Sequence, residues 1–94
     1  MEVRFEWDPD KAAENVEKHG VSFDEARTVF SDPLSRTVFD DLHSSGGEDR
    51  WLTIGHSSRG VTTVVSHEDH GRTIRLISAR RATPAERADY EETY

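Results

Sequence analysis

The sequence contains no cysteine, so neither a disulfide framework nor a thiolate metal site can hold it together. No apolar run exceeds a few residues, which excludes a membrane-spanning helix. Core formers are scarce as well. Leu, Ile, Val and Phe make up 19 of 94 residues, the border at which high net charge begins to favour disorder. A small core is therefore expected, in one domain spanning residues 1–94, since the chain is too short for two. Met1 leads straight into charged residues instead of an apolar stretch, so no signal peptide is read and a reducing, cytoplasmic setting is expected.

A net charge of −7 argues at first against contact with a polyanion. The average conceals a separation. Between Arg59 and Arg87 the chain carries Arg59, Arg72, Arg75, Arg80, Arg81 and Arg87 against Glu68, Asp69 and Glu86, a local balance of +3 that leaves −10 elsewhere. One polyanion-facing surface on an acidic body is one reading of that separation; an ion-paired, solvated surface is the other.

Residues Val3 to Trp7 read as a short strand, after which Asp8-Pro9 supplies an N-cap and a first-turn proline. That helix should end at Gly20. Ser22 and Glu25 form a capping-box pattern for a second helix with Phe23, Ala26, Val29 and Phe30 on one face, stopped by Asp32-Pro33. Strand chemistry follows: Thr37 to Phe39, a polar loop from Asp40 to Asp49 containing Gly46-Gly47, Arg50 to Gly55, Val61 to His67, and Thr73 to Ala79 after a turn at His70-Gly71. Thr83-Pro84-Ala85-Glu86 opens a last helix to about Glu92. The order β-α-α-β-β-β-β-α predicts an α+β domain in which an antiparallel meander packs one face on helices and leaves the other open.

Few residues carry chemistry. His67-Glu68-Asp69-His70 has an HxxH spacing, but at a strand end the two rings diverge, so no metal site and no cofactor is expected. Ser44-Ser45-Gly46-Gly47 lacks the lysine and following helix of a phosphate loop, and Gly55-His56-Ser57-Ser58 is read as a turn. Arg80 and Arg81 stand where a strand gives way to a loop, well placed to clamp a phosphate through paired N–H donors, with ion pairing (Arg81 to Glu86, for example) as the alternative. Arg75 reads equally as a phosphate contact or as the partner of a neighbouring strand. His67 shares strand parity with Val61 and Val65 and is the candidate general acid or base; Glu48 is the candidate complementary base, each weighed against a plain structural or solvated role.

The segments Phe5-Glu6-Trp7-Asp8, Lys18-His19-Gly20-Val21-Ser22-Phe23, Asp32-Pro33-Leu34, Leu52-Thr53-Ile54-Gly55 and Ile77-Ser78-Ala79-Arg80-Arg81-Ala82-Thr83 resemble the BrnT family, in order and over almost the whole chain. The resemblance implies a RelE-like fold and a cytoplasmic ribonuclease toxin of a type II toxin–antitoxin pair. It further implies neutralisation by BrnA, a ribbon-helix-helix antitoxin through which any DNA contact would come. His67, Arg80, Arg81 and Glu48 are the expected catalytic residues, with Arg59, Arg72 and Arg75 as substrate contacts. Without a metal, cleavage would use the RNA's own 2′-hydroxyl. The competing reading is a non-catalytic module whose basic sheet face docks a partner chain.

Overall fold

The computed structural model describes residues 3–44 and 48–92. Five strands form one sheet in the order β1-β5-β4-β3-β2: β1 (Arg4–Glu6), β2 (Arg36–Phe39), β3 (Trp51–His56), β4 (Thr62–His70) and β5 (Thr73–Arg81). β2 to β5 are an antiparallel meander, as alternation and the Gly71 turn (φ 64°) require. The expectation of a purely antiparallel sheet needs correction, because β1 pairs in parallel with β5, Phe5 opposite Ile74. Helix α1 (Pro9–His19) is the crossover that makes this possible: it carries the chain away from β1 before the meander begins.

Capping chemistry sets the helix boundaries. Asp8 accepts the Asp10 N–H at the start of α1, and Gly20 closes it with φ 69°. Ser22 caps α2 (Phe23–Ala26), which is shorter than its apolar periodicity suggests and continues as a 3-10 turn over Arg27–Ser31. The Thr28 hydroxyl bonds back to the Glu25 carbonyl, and Asp32 is extended (ψ 115°) ahead of Pro33, so the segment tightens instead of propagating. Helix α3 (Pro84–Glu91) has the full capping box between Thr83 and Glu86. None of the described helices is long and apolar enough to cross a membrane. The Gly46-Gly47 part of the expected loop lies outside the described residues.

The core lies between the sheet and the α1/α2 layer: Val21, Phe23, Ala26 and Val29 pack on Val65, Leu76 and Ala79, fringed by Phe5, Trp7, Phe30 and Ile74. Asn15 is the one buried residue of α1. Its side chain accepts the Ala79 N–H at 3.0 Å and donates to the carbonyls of Ala79 (2.8 Å) and Val21 (2.9 Å). Because β1 pairs only with residues 73–75, the outer edge of β5 would otherwise carry unmet backbone groups at Ala79, and Asn15 takes the place of a strand there. Opposite the Ser66/His67 step, Ile77 is an extra residue in β5, a bulge between Leu76 (paired with His67) and Ser78 (paired with Ser66).

Candidate active site

The register separates the sequence-selected residues into two groups. Arg81 pairs with Thr63 and Arg80 with Val64, at the end of the sheet where β4 begins. His67 lies four residues further along β4, about 13 Å away at strand spacing. Arg59 sits near the first end, in the turn from Ser57 to Gly60. Arg72, in the hairpin turn, and Arg75, opposite Glu68, belong with His67 at the other end, and Glu48 precedes β3 there, since Trp51 pairs with His67. The four expected catalytic residues therefore do not converge.

Their partners differ as sharply as their positions. His67 is 1% exposed, and both ring nitrogens are engaged, Nδ1 with Asp69 at 2.6 Å and Nε2 with Thr53 at 2.7 Å. The Thr53 hydroxyl meets that of Thr37 at 2.7 Å, and the Phe30 ring stands edge-on at 4.9 Å. Burial pushes the imidazole below its ordinary pKa, with Asp69 opposing part of that shift. Arg80 grips both Glu86 oxygens, at 2.7 and 3.0 Å. This pairing raises the Arg80 guanidinium further and brings the Glu86 carboxyl down to about 2. The ion pair considered for Arg81 thus belongs to its neighbour. Arg75 pairs with Glu6 of the adjacent strand at 3.4 Å, and Arg59 lies 3.9 Å from Glu25. Glu48 is exposed.

Arg81 is different. With Arg87 of α3 and His56 at the end of β3 it lines a cleft of about 390 Å³, completed by Gly60, Val61, Thr62, Ala82 and Glu91. Among the described residues neither Arg81 nor Arg87 has an ion-pair partner.

Asp32 builds the wall behind this cleft. Its Oδ2 accepts the His56 N–H at 2.8 Å and the Tyr90 hydroxyl, and its Oδ1 accepts the Leu34 N–H at 2.9 Å. Burial pushes this carboxyl up, but those donors and the His56 ring outweigh it and hold the pKa below the usual value. The Tyr90 ring packs 5.1 Å from that of His56, so α3 and β3 are tied together at the cleft. Gly55 is not the turn residue its sequence context suggests: it lies within β3, where a Cβ would meet Asp32 and Ser35 at 3.0 Å and Val29 at 3.1 Å.

Residues 7–86 match the family model described as the ribonuclease toxin BrnT of type II toxin–antitoxin systems. The chain belongs to the BrnT family. A crystal structure of the Brucella abortus ribonuclease toxin BrnT superimposes with a TM-score of 0.62 at 22% identity, covering 88% of this chain and 97% of that one. A comparison with curated proteins finds no match. Membership in the BrnT family implies an RNA substrate and an antitoxin partner. Within this BrnT-family domain, sequence reasoning missed His56 and Arg87. Both had a signal: His56 follows an apolar strand at its exit, and Arg87 was counted in the basic segment, although its helix hid its proximity to Arg81.

Proposed function

We propose that the chain is a metal-independent endoribonuclease acting at the His56–Arg81–Arg87 cleft. The observation that carries this reading is a pair of guanidiniums, free of carboxylate partners among the described residues, lining one cleft with an imidazole. The 2′-hydroxyl of the RNA attacks the adjacent phosphorus, and the bond to the 5′-oxygen breaks. His56 exchanges the proton with the attacking or leaving oxygen, histidine being suited to transfer near neutrality. Arg81 and Arg87 neutralise the non-bridging oxygens as charge develops. Arg80 acts as a positioning residue, holding α3 and therefore Arg87 through Glu86. His67 braces the core. The protein works in the cytoplasm, adopts a RelE-like arrangement, and is neutralised by a BrnA-like ribbon-helix-helix antitoxin, through which alone DNA is contacted.

Purified chain incubated with RNA, with and without chelator, tests this directly. Cleavage should survive chelation; loss that zinc or manganese restores refutes metal independence. Arg81→Ala should lower the rate by about 10² to 10³ with a melting temperature near that of the parent, and His56→Ala by about 10² to 10⁴ with a lower one, since its ring packs on Tyr90. Unchanged rates in both variants would move the chemistry elsewhere. A second reading, a non-catalytic docking module, draws on the open-face trough of Val38, Leu52, Ile54 and Val64 beside α3. It predicts soluble, folded chain that leaves RNA intact.

A further inference from the structure

Helix α1 and the bulged part of β5 enclose a second cleft, of about 220 Å³, lined by Lys11, Glu14, Asn15, Lys18, His19, Ile77 and Ser78. Two lysines and a histidine face it against a single carboxylate. In a chain of 19 acidic residues, none of these three basic groups has an ion-pair partner among the described residues. Most other described arginines are matched: Arg27 with Asp24, Arg36 with Asp89, Arg50 with Glu68, Arg59 with Glu25, Arg75 with Glu6 and Arg80 with Glu86. Among the described residues Arg4 and Arg72 are unmatched as well, at the β1 edge and in the β4/β5 turn; the cations of the two clefts differ from them in standing together around a concavity.

Their placement follows from the fold. Lys11 and Lys18 are seven residues apart on α1, two helical turns, and so share its face. Asn15, between them, is bonded to Ala79 and fixes that face against β5. The bulge at Ile77 opens the strand where β1 no longer covers its edge, and Ile77 and Ser78 line the opening. From Ser78 to Arg81 is three residues, about 10 Å along the strand.

We propose that the α1/β5 cleft is a second phosphate subsite, in which Lys11, Lys18 and His19 hold the RNA backbone beyond the bond cut in the Arg81 cleft. This rests on the ribonuclease reading. Lysine supplies point charge without fixed geometry, which suits a subsite that retains the strand without aligning the reacting phosphate. The subsite should therefore lower KM for RNA long enough to span both clefts, leave kcat unchanged, and be silent for a dinucleotide substrate.

The test compares the parent, the double variant Lys11→Ala/Lys18→Ala and the charge-retaining Lys18→Arg on a dinucleotide and on an RNA of about ten nucleotides. For the longer RNA the double variant should raise KM about tenfold at low salt and reduce the log–log salt slope by about 1.4, two contacts at 0.7 each. Lys18→Arg should behave as the parent. Both lysines are exposed, so the melting temperature should hold; a variant that melts early is replaced by Lys11→Gln/Lys18→Gln. Equal effects on both lengths, or none on either, overturn the subsite while leaving the ribonuclease reading standing. Unchanged RNA kinetics with lost inhibition by the antitoxin would assign the cleft to the protein partner and overturn it too. A parent that cuts neither RNA defeats both proposals.

Discussion

A buried histidine with both nitrogens bonded stands or falls by its partners. With the His67 ring neutral and Nδ1–H donated to Asp69, Nε2 accepts from the Thr53 hydroxyl, which in turn accepts from Thr37. Thr53→Val keeps the shape but strips the donor from a buried acceptor, at a cost of about 1–3 kcal/mol. In a domain of this size each 1 kcal/mol lowers the melting temperature by about 4–8 °C. Because burial depresses the His67 pKa, the unfolded chain binds its proton more readily than the folded one. The associated stability is present above pH 6.5 and is lost as pH falls from there through the folded value, which denaturant titrations between pH 7 and 5 would reveal. Strand parity placed His67 on the apolar face in advance. Parity could not supply Thr53, which the β3/β4 register sets, whereas Asp69, two residues further along β4, shares the face of His67.

Helix α3 is a short element held to the sheet by polar tethers: Arg80 to Glu86, Arg36 to Asp89 at 3.2 Å, and the Tyr90 hydroxyl to Asp32. The Glu86 carboxyl, brought from 4.5 to about 2, contributes stability that is complete above pH 4.5 and disappears as pH falls toward 2. Both partners are partly solvated, so Arg80→Ala should cost about 1 kcal/mol. Tyr90→Phe should cost about 1–3 kcal/mol, since it removes the bond that the buried Tyr90 hydroxyl donates to the half-buried Asp32 carboxylate. Both variants should also reduce cleavage through misplacement of Arg87, and hydrogen exchange at α3 amides would report its loosening. The capping box made this helix legible from four residues. Its tethers were not: in the tandem Arg80-Arg81, only the path of the chain into α3 decides which guanidinium meets Glu86 and which faces the cleft. The second helix shows the converse, an apolar periodicity that continues to Phe30 while the backbone tightens at Thr28.

At the scale of the whole molecule the acidic surplus opposes RNA at long range, and the clefts attract it at short range. If Arg81, Arg87, Lys11 and Lys18 each meet a phosphate, RNA binding should weaken with salt along a log–log slope of roughly −3, measurable by fluorescence anisotropy. A slope near zero would mean that the arginines do not carry the contact. Expression of the chain alone should arrest growth, and co-expression of its antitoxin should relieve the arrest. The meander and its helical layer were readable because alternation, caps and glycine turns act locally. The parallel β1/β5 pairing was not, since it joins residues almost seventy positions apart and has no turn to announce it.

The two sides of the sheet end differently. On one side the row closes with β1, only three residues long and bearing Arg4 and Glu6, and beyond it Asn15 occupies the hydrogen-bonding groups of Ala79. On the other, β2 presents Val38 and Phe39, both substantially exposed, with no strand beyond it among the described residues. Of the two margins, that of β2 offers an extended segment apolar side chains, whereas that of β1 is three residues long and charged. Two copies meeting edge to edge through β2 would therefore use up the margin better suited to pairing, and the short, charged β1 margin disfavours the end-to-end stacking that builds fibres.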